Sequence, residues 1–158
     1  MAKSLSFDTG LVEYDINGMA TVRFNPTDAD FVERLWKCFT DLEARQGEFQ
    51  GRVDEIEIGE HGEGGERMFA YAKERDAEMR GIIDGLLGDG VADALFPDMN
   101  CYALADGLPV WVNLMFAIAD EIEGAYTRQQ KRTDPRVAGY SKKYDAMMKK
   151  YKGKKKRK

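Results

Sequence analysis

Apolar and polar residues alternate on both sides of Asn17-Gly18 in the stretch LVEYDINGMATVRF, residues 11–24. Alternation with period two is typical of a half-buried β-strand, and Asn-Gly accepts the positive φ angles of a tight hairpin turn. A two-residue turn would align these cross-strand pairs: Ile16 with Met19, Tyr14 with Thr21, and Leu11 with Phe24. The pattern predicts an N-terminal β-hairpin, which must pack on helices because an isolated hairpin is only marginally stable.

The next segment changes to helical spacing. Thr27 to Asp30 forms a Thr-x-x-Asp start after Pro26, which is similar to a capping box. Apolar residues then recur every three or four positions up to Gln46-Gly47, where we expect the first helix to end: Phe31, Leu35, Cys38, Phe39 and Leu42. Glycine and acidic residues dominate 47–66. That stretch indicates a loose connector, or a short strand at Val53, Ile56 and Ile58.

A second helix is predicted over residues 65–87, with an apolar stripe that Asp76 interrupts. The stripe comprises Phe69, Ala72, Met79, Ile83 and Leu86. Gly88-Asp89-Gly90 follows, without the Lys-Ser/Thr of a phosphate-binding loop or the closing Glu of a calcium loop. Gly88 suits the end of one helix and Asp89 the N-cap of a short helix that Pro97 stops. We expect a break between helices and no ligand site.

The most apolar segment of the chain, VWVNLMFAIA, opens a third long helix over 110–132, and Pro109 suits the first turn of that helix. Its apolar density predicts a central buried helix, in which Asn113 needs a polar partner in the core or across an interface. A last helix is predicted to begin at Asp134 as N-cap and Pro135 in the first turn. Apolar residues line one side of it among lysines: Val137, Tyr140, Tyr144, Met147, Met148 and Tyr151. The fold we expect is mainly α (α+β), with four or five helices, the N-terminal hairpin and a basic C-terminal helix.

Charge divides the chain unevenly. Residues 142–158 hold ten basic residues and one aspartate, a net charge of +9 against −4 for the whole chain, so residues 1–141 carry −13. We therefore distinguish a flexible N-terminus at 1–10, a single acidic domain at 11–141 and a basic helix end and tail at 142–158. The basic tail would attract nucleic acid, but the acidic domain would repel it, and we do not expect a nucleic-acid partner.

Membrane insertion and export are not expected either. The longest apolar run, LPVWVNLMFAIA, is too short to span a bilayer, and the N-terminus MAKSLSFDTG lacks the apolar core of a signal peptide. Cys38 and Cys101 are far apart and show no metal-ligand spacing. We expect them to be reduced thiols in a cytoplasmic protein.

Few residues suggest catalysis or metal binding. His61 is the only histidine and lies among Glu60, Glu63 and Glu66, where a weak metal site is conceivable but nothing fixes the ligands. Asp120 and Glu123 are neighbours on one helix face while Glu121 points elsewhere, a pattern that favours a solvated face over an acid–base pair. We expect no catalytic residues, no metal and no cofactor, and hence a protein that is not an enzyme.

The order of segments is distinctive. A short hairpin with ING precedes a helix that begins DADFVERLWKC, and DPRVAGYSKKY leads to a basic end. The most specific parts are GDGVADALF at 88–96 and KYDAMMKKYKGKKKRK at 143–158. Over residues 11–158 the chain resembles the small tail assembly chaperones of long-tailed (siphovirus-like) bacteriophages and prophages of Gram-positive hosts.

The resemblance implies a function in protein binding that involves no chemical reaction. Such chaperones bind the tape measure protein, keep its long apolar helices soluble and recruit tail tube subunits. They act in the host cytoplasm, are absent from the mature virion and have no cofactor. A homo-oligomer is a further expectation, because the apolar helices exceed what one small domain covers.

Two groups of residues are candidates for the partner-binding surface: Trp111, Met115 and Phe116, or Tyr144, Met148 and Tyr151. Three alternatives stay open. The chain could be a nucleic-acid-binding accessory protein that uses its basic tail, a structural head–tail protein of the virion, or an enzyme that uses His61.

Overall fold

A computed structural model describes residues 1–59 and 64–156, with side chains described at 1–41, 44–55, 65–132 and 136–153. Within these ranges the fold is mainly α with an N-terminal antiparallel hairpin, as the sequence predicts. The elements in chain order are β1 (Val12–Ile16), β2 (Ala20–Phe24), α1 (Ala29–Gly59), α2 (Gly64–Leu87), α3 (Val91–Leu95), β3 (Leu104–Ala105), β4 (Leu108–Pro109) and α4 (Val110–Lys156).

The hairpin β1–β2 forms at the predicted place, but its predicted register is wrong by one residue. Ile16 pairs with Ala20 and Tyr14 with Val22, so the turn contains Met19 as well as Asn17 and Gly18. The observed register joins apolar to apolar positions and buries Val22. A shift of one residue would turn every side chain to the opposite face, so burial of one face decides the register.

The first helix, α1, extends to Gly59 and does not end near Gln46-Gly47. Gly47 and Gly51 each cost a helix about 1 kcal/mol relative to alanine. Contacts with α2 offset this cost: Phe49 stacks on Tyr71 at 5.8 Å between ring centroids, and the Arg75 guanidinium lies 3.7 Å from the centroid of Phe49. The expectation of a connector or strand at Val53, Ile56 and Ile58 is therefore wrong.

The start of α1 also differs from the predicted capping box. Asp28, and not Thr27, directly precedes the helix, and the Thr27 N–H and hydroxyl both donate to the Asn25 side-chain oxygen. The Asp28 carboxylate accepts from the N–H of Asp30 instead, at 3.0 Å. The helix accordingly begins at Ala29.

The predicted break after α2 is confirmed, whereas the predicted N-cap at Asp89 is wrong. Gly88 has φ +126° and Gly90, the N-cap of α3, has φ +82°. The carboxylate of Asp84 accepts from the N–H groups of Gly90 at 3.1 Å and Ala92 at 2.9 Å. A side chain from the last turn of α2 thus stabilises the start of α3, which local sequence rules do not anticipate.

Asp76 interrupts the apolar stripe of α2 because it anchors the segment after α3. It accepts a hydrogen bond from the Cys101 N–H at 2.8 Å and pairs with Arg80 at 2.8 Å. Arg80 also pairs with Asp93 at 2.9 Å. The remaining Arg80 hydrogen bonds go to backbone carbonyl oxygens, those of Ala92, Phe96 and Met99.

A second small hairpin, β3–β4, precedes the last helix at a place where the sequence predicted only a connection. Its turn residues Asp106 and Gly107 have φ +54° and +80°, as a tight Asp-Gly turn requires. The side-chain amide of Asn113 donates to the Ala105 carbonyl oxygen at 2.9 Å. This bond provides the polar partner that Asn113 needs.

One helix, α4, replaces the two helices predicted at 110–132 and from Asp134 onward. The backbone is helical from Val110 to Lys156, so Asp134 does not begin a separate helix. Internal contacts divide the chain into two compact units, Met1–Ile122 and Glu123–Lys158. The predicted boundary at residue 142 was drawn from charge and not from internal contacts, so it stays a prediction.

The hydrophobic core lies in the first unit, between the hairpin, α1, α2, α3 and the first turns of α4. Its largest fully buried side chains come from three helices, α1, α2 and α4, and one connecting segment: Trp111, Phe31, Met79, Ile83, Met115 and Cys101. Phe69, predicted on the buried stripe of α2, is exposed instead. Phe24 joins the hairpin to α1 by stacking on Phe31 at 4.3 Å between ring centroids.

Candidate partner-binding surface

The first predicted group of binding residues divides between core and surface. Trp111 and Met115 have no exposed area, because both point into the core of the first unit. Phe116, the next residue on α4, is 45% exposed. A partner reaches only Phe116 in this conformation, so the structure contradicts an accessible surface made by all three residues.

Phe116 belongs to a small aromatic patch. It stacks on Phe39 of α1 at 5.5 Å between ring centroids. Trp36, three residues before Phe39 and hence on the adjoining part of the same helix face, is also exposed. The sequence indicates each of these residues as apolar, but it does not indicate that Phe39 and Phe116 meet.

The second predicted group lies on an exposed face of the second unit. Tyr144 and Tyr151 are exposed and Met148 is half-buried. Tyr140 and Met147, which share the same side of the helix, are 59% and 58% exposed. We call the residues Val137, Tyr140, Tyr144, Met147 and Tyr151 the apolar stripe.

Basic side chains lie directly beside the apolar stripe. The Lys143 ammonium lies 5.3 Å from the ring centroid of Tyr140, and the Arg136 guanidinium lies 5.9 Å from it. Cation–π contacts at exposed sites contribute about 0.5–1 kcal/mol. Two positive charges therefore lie next to the Tyr140 ring, so a partner that covers the ring also meets those charges.

The first unit offers an apolar groove beside the tip of the β1–β2 hairpin. Its volume is about 440 Å³. Met19 and Met99 border the groove, and Phe96, Val110 and Leu114 are among the residues that line it. The groove is open and mainly apolar, and Asn17 and Asn113 are the polar residues in its lining.

Titratable groups near the core favour a structural role. Burial raises the pKa of the Cys101 thiol to about 12, and its contacts with Asp76 add to the effect. Burial alone would raise the pKa of the Asp76 carboxyl, but hydrogen bonds from Cys101 and Arg80 outweigh it and lower that pKa. Cys101 is therefore a protonated thiol at neutral pH, without nucleophilic character. Cys38 and Cys101 are both free cysteines.

The candidate chemical sites do not gain support from geometry. Among the described residues, no three His, Cys, Asp or Glu side chains lie close enough to hold a metal ion. Asp120 lies exposed on α4. His61 and its neighbours Glu60 and Glu63 lie outside the described residues.

Comparison with protein-family models, curated proteins and solved structures finds no match. The function must therefore be inferred from the residues and their arrangement. In the described part of the chain, no helix combines the length and apolar character needed to cross a membrane.

The sequence predicted helical structure for the segment that carries the apolar stripe, although as a separate helix, and it identified the residues on that side. It did not separate exposed from buried apolar faces on α4. The available signal was the charge beside each face. Residues 110–119 contain no charged side chain, whereas 136–152 contain six basic residues and one aspartate.

Proposed function

We propose that this chain is a tail assembly chaperone that binds apolar helices of the tape measure protein and recruits tail tube subunits, without catalysing a reaction. The apolar stripe on α4 carries the proposal. It places large apolar side chains on the surface, at helical spacing and among lysines. Contiguous exposed apolar surface with a polar rim is typical of protein-binding sites.

The energetics of the apolar stripe suit reversible binding. Val137, Tyr140, Tyr144 and Met147 each keep 58–59% of their surface exposed. Covering a fully exposed side chain of this size stabilises a complex by about 1.5–3 kcal/mol, so these half-exposed side chains provide about 1 kcal/mol each. The costs of association offset part of this gain. A chaperone that leaves before the virion is complete requires such moderate affinity.

Charge supports the same function. The 141 residues before the basic segment carry a net charge of −13. Charge of this magnitude keeps a protein soluble while it presents an apolar surface. We propose that the chain acts in the host cytoplasm and is absent from the mature virion.

Co-purification tests the proposal directly. A tape measure fragment, which we expect to be encoded just downstream, is co-expressed with the full chain or with a Met148→Asp/Tyr151→Asp variant. The native chain should retain the fragment and the variant should lose it. Ala138→Asp/Ala146→Asp is a matched control, because it adds the same charge on the opposite side of the same helix, at exposed residues.

Two outcomes would contradict the proposal. Retention of the fragment by both variants would exclude the stripe, and its loss from both would show an effect of charge or helix stability alone. Detection of the chain by mass spectrometry in purified virions would favour a structural head–tail protein instead.

A nucleic-acid-binding function is the second candidate, and the net charge of +9 on 142–158 is the observation that favours it. Binding of this kind weakens steeply with salt, because it releases counterions from phosphates. Tight binding of duplex DNA or RNA that is lost on truncation at Tyr140 would establish this function.

A further inference from the structure

The spacing along the apolar stripe is regular. Val137, Tyr140, Tyr144, Met147 and Tyr151 follow one another at intervals of three, four, three and four residues. This is the spacing of positions a and d in a coiled-coil heptad, with Val137, Tyr144 and Tyr151 at a. The stripe therefore presents two heptads of a seam that a second helix fits.

The two flanks of this seam differ in charge. Position g, directly before each a residue, holds Arg136, Lys143 and Lys150. Position e, on the opposite flank, holds the uncharged Ser141 and Met148. Flanking charges at e and g select the partner of a coiled coil, because they lie against the flank of the facing helix. One basic flank thus favours acidic residues on the helix that faces it.

The same charges disfavour a second copy of this segment as the partner. Residues 136–152 hold six basic residues and one aspartate, a net charge of +5. In an antiparallel pair the two basic flanks would face each other, and in a parallel pair each would face an uncharged flank. Neither arrangement forms an ion pair, and both bring two strongly positive helices together.

We infer that the segment at 137–151 binds an α-helix of another polypeptide that carries apolar residues at heptad spacing and Glu or Asp along the flank of its seam. This inference rests on the proposed function in one respect, namely that the occupant is a protein helix. The inference adds that the partner helix carries acidic residues on its flank and apolar residues at heptad spacing.

Three synthetic helices test the inference. They share one apolar seam and carry Glu, Gln or Lys at all flanking positions. Their affinities for the full chain are measured by fluorescence anisotropy at low and high salt. The Glu helix should bind about tenfold more tightly than the Gln helix, since three exposed ion pairs of ordinary strength give a factor of this size. The Lys helix should bind more weakly than the Gln helix, and high salt should reduce both differences.

Two charge-reversal variants distinguish the effect of the basic flank on binding from the effect of overall charge. Arg136→Glu/Lys143→Glu/Lys150→Glu reverses the flank of the seam and should invert the order of the Glu and Lys helices. Lys142→Glu/Lys149→Glu/Lys152→Glu makes the same change in net charge at exposed positions away from the seam, and should keep the order. Circular dichroism verifies that both variants remain helical. Equal effects of the two variants would overturn the inference.

Failure of this inference differs from failure of the proposed function. If binding of the tape measure fragment requires Met148 and Tyr151 but is unchanged by reversal of the flank, the proposed function stands and the inference of an acidic partner helix is wrong. If duplex DNA binds the chain and a Tyr140→Ser/Tyr144→Ser variant equally well and displaces the Glu helix, a protein helix is the wrong occupant. Sedimentation equilibrium that shows a dimer dissociated by the Tyr140→Ser/Tyr144→Ser change would also overturn the inference.

Discussion

The two parts of α4 have similar apolar periodicity and opposite surroundings. Trp111 and Met115, near its start, are fully buried by the hairpin and the other helices of the first unit. Tyr144 and Met147, in the second unit, remain mostly exposed. The comparison shows that apolar spacing identifies one side of a helix, but not whether that side is buried within the same chain.

Charge next to the two faces distinguishes them better than hydrophobicity does. The buried face begins in a run of ten residues, 110–119, without a charged side chain. The exposed face lies in 136–152, which carries a net charge of +5. Lysine stems can pack along apolar surface while their ammonium groups stay in water, so a lysine-rich helix remains soluble with an open apolar stripe.

The largest expected effect comes from a pair of methionines on the two parts of α4. Met115→Ala should lower the free energy of unfolding by about 2–5 kcal/mol, because it leaves a cavity in a packed core. Met147→Ala should change it by less than about 0.5 kcal/mol, as at other surface positions. Urea denaturation followed by tryptophan fluorescence measures both. Equal losses would remove the distinction between the two faces.

A pair of aspartates extends the comparison to polar contacts. Asp76→Asn should cost about 2 kcal/mol at neutral pH, since it weakens charge-assisted hydrogen bonds to Arg80 and to the Cys101 N–H. Asp145→Asn, at an exposed position beside the apolar stripe, should have little effect. The same denaturation experiment compares them.

The pH dependence of stability gives an independent test of Asp76. Its pKa is held below the ordinary value of 3.8 in the folded chain. A carboxyl of this kind stabilises the fold above its unfolded-state pKa, and the contribution is lost as pH falls through the folded-state pKa. The free energy of unfolding should therefore decrease as the pH is lowered below about 4, and Asp76→Asn should make this decrease smaller. If the stability of the Asp76→Asn variant decreased with falling pH as steeply as that of the native chain, the role assigned to Asp76 would be contradicted.

The smallest expected effect concerns the cap of α3. Asp84→Ala should cost about 1 kcal/mol, the usual value of an N-terminal cap, because it removes the acceptor for Gly90 and Ala92. Asp89→Ala should be nearly neutral, although Asp89 occupies the position where sequence rules expect the cap. A larger loss at Asp89 than at Asp84 would reverse this assignment.

Local patterns predicted the class of each long element, and tertiary contacts decided the rest. Asn17-Gly18 indicated the hairpin, but the register depended on which face covers the core. Glycines indicated an end to α1 near Gly47, whereas the contacts of Phe49 with α2 favour continuation of the helix. Asp84 caps α3 from six residues before Gly90, which no local rule contains.

The candidate site was predicted in part. Periodicity identified Tyr144, Met148 and Tyr151, and it also identified Trp111 and Met115, which the fold buries. A single sequence cannot separate these groups by apolar character, because both have it. The flanking lysines carry the missing information, and they are visible in the sequence once charge is read in the register of the helix.

Hydrogen exchange on the full chain, free and bound to a tape measure fragment, tests the central claim most directly. Binding through the apolar stripe should slow exchange of the amides at 137–151 and leave those at 110–122 unchanged, because that part of α4 is already covered by the first unit. Protection confined to residues 110–122 or to the aromatic patch of Trp36, Phe39 and Phe116, with none at 137–151, would contradict the account.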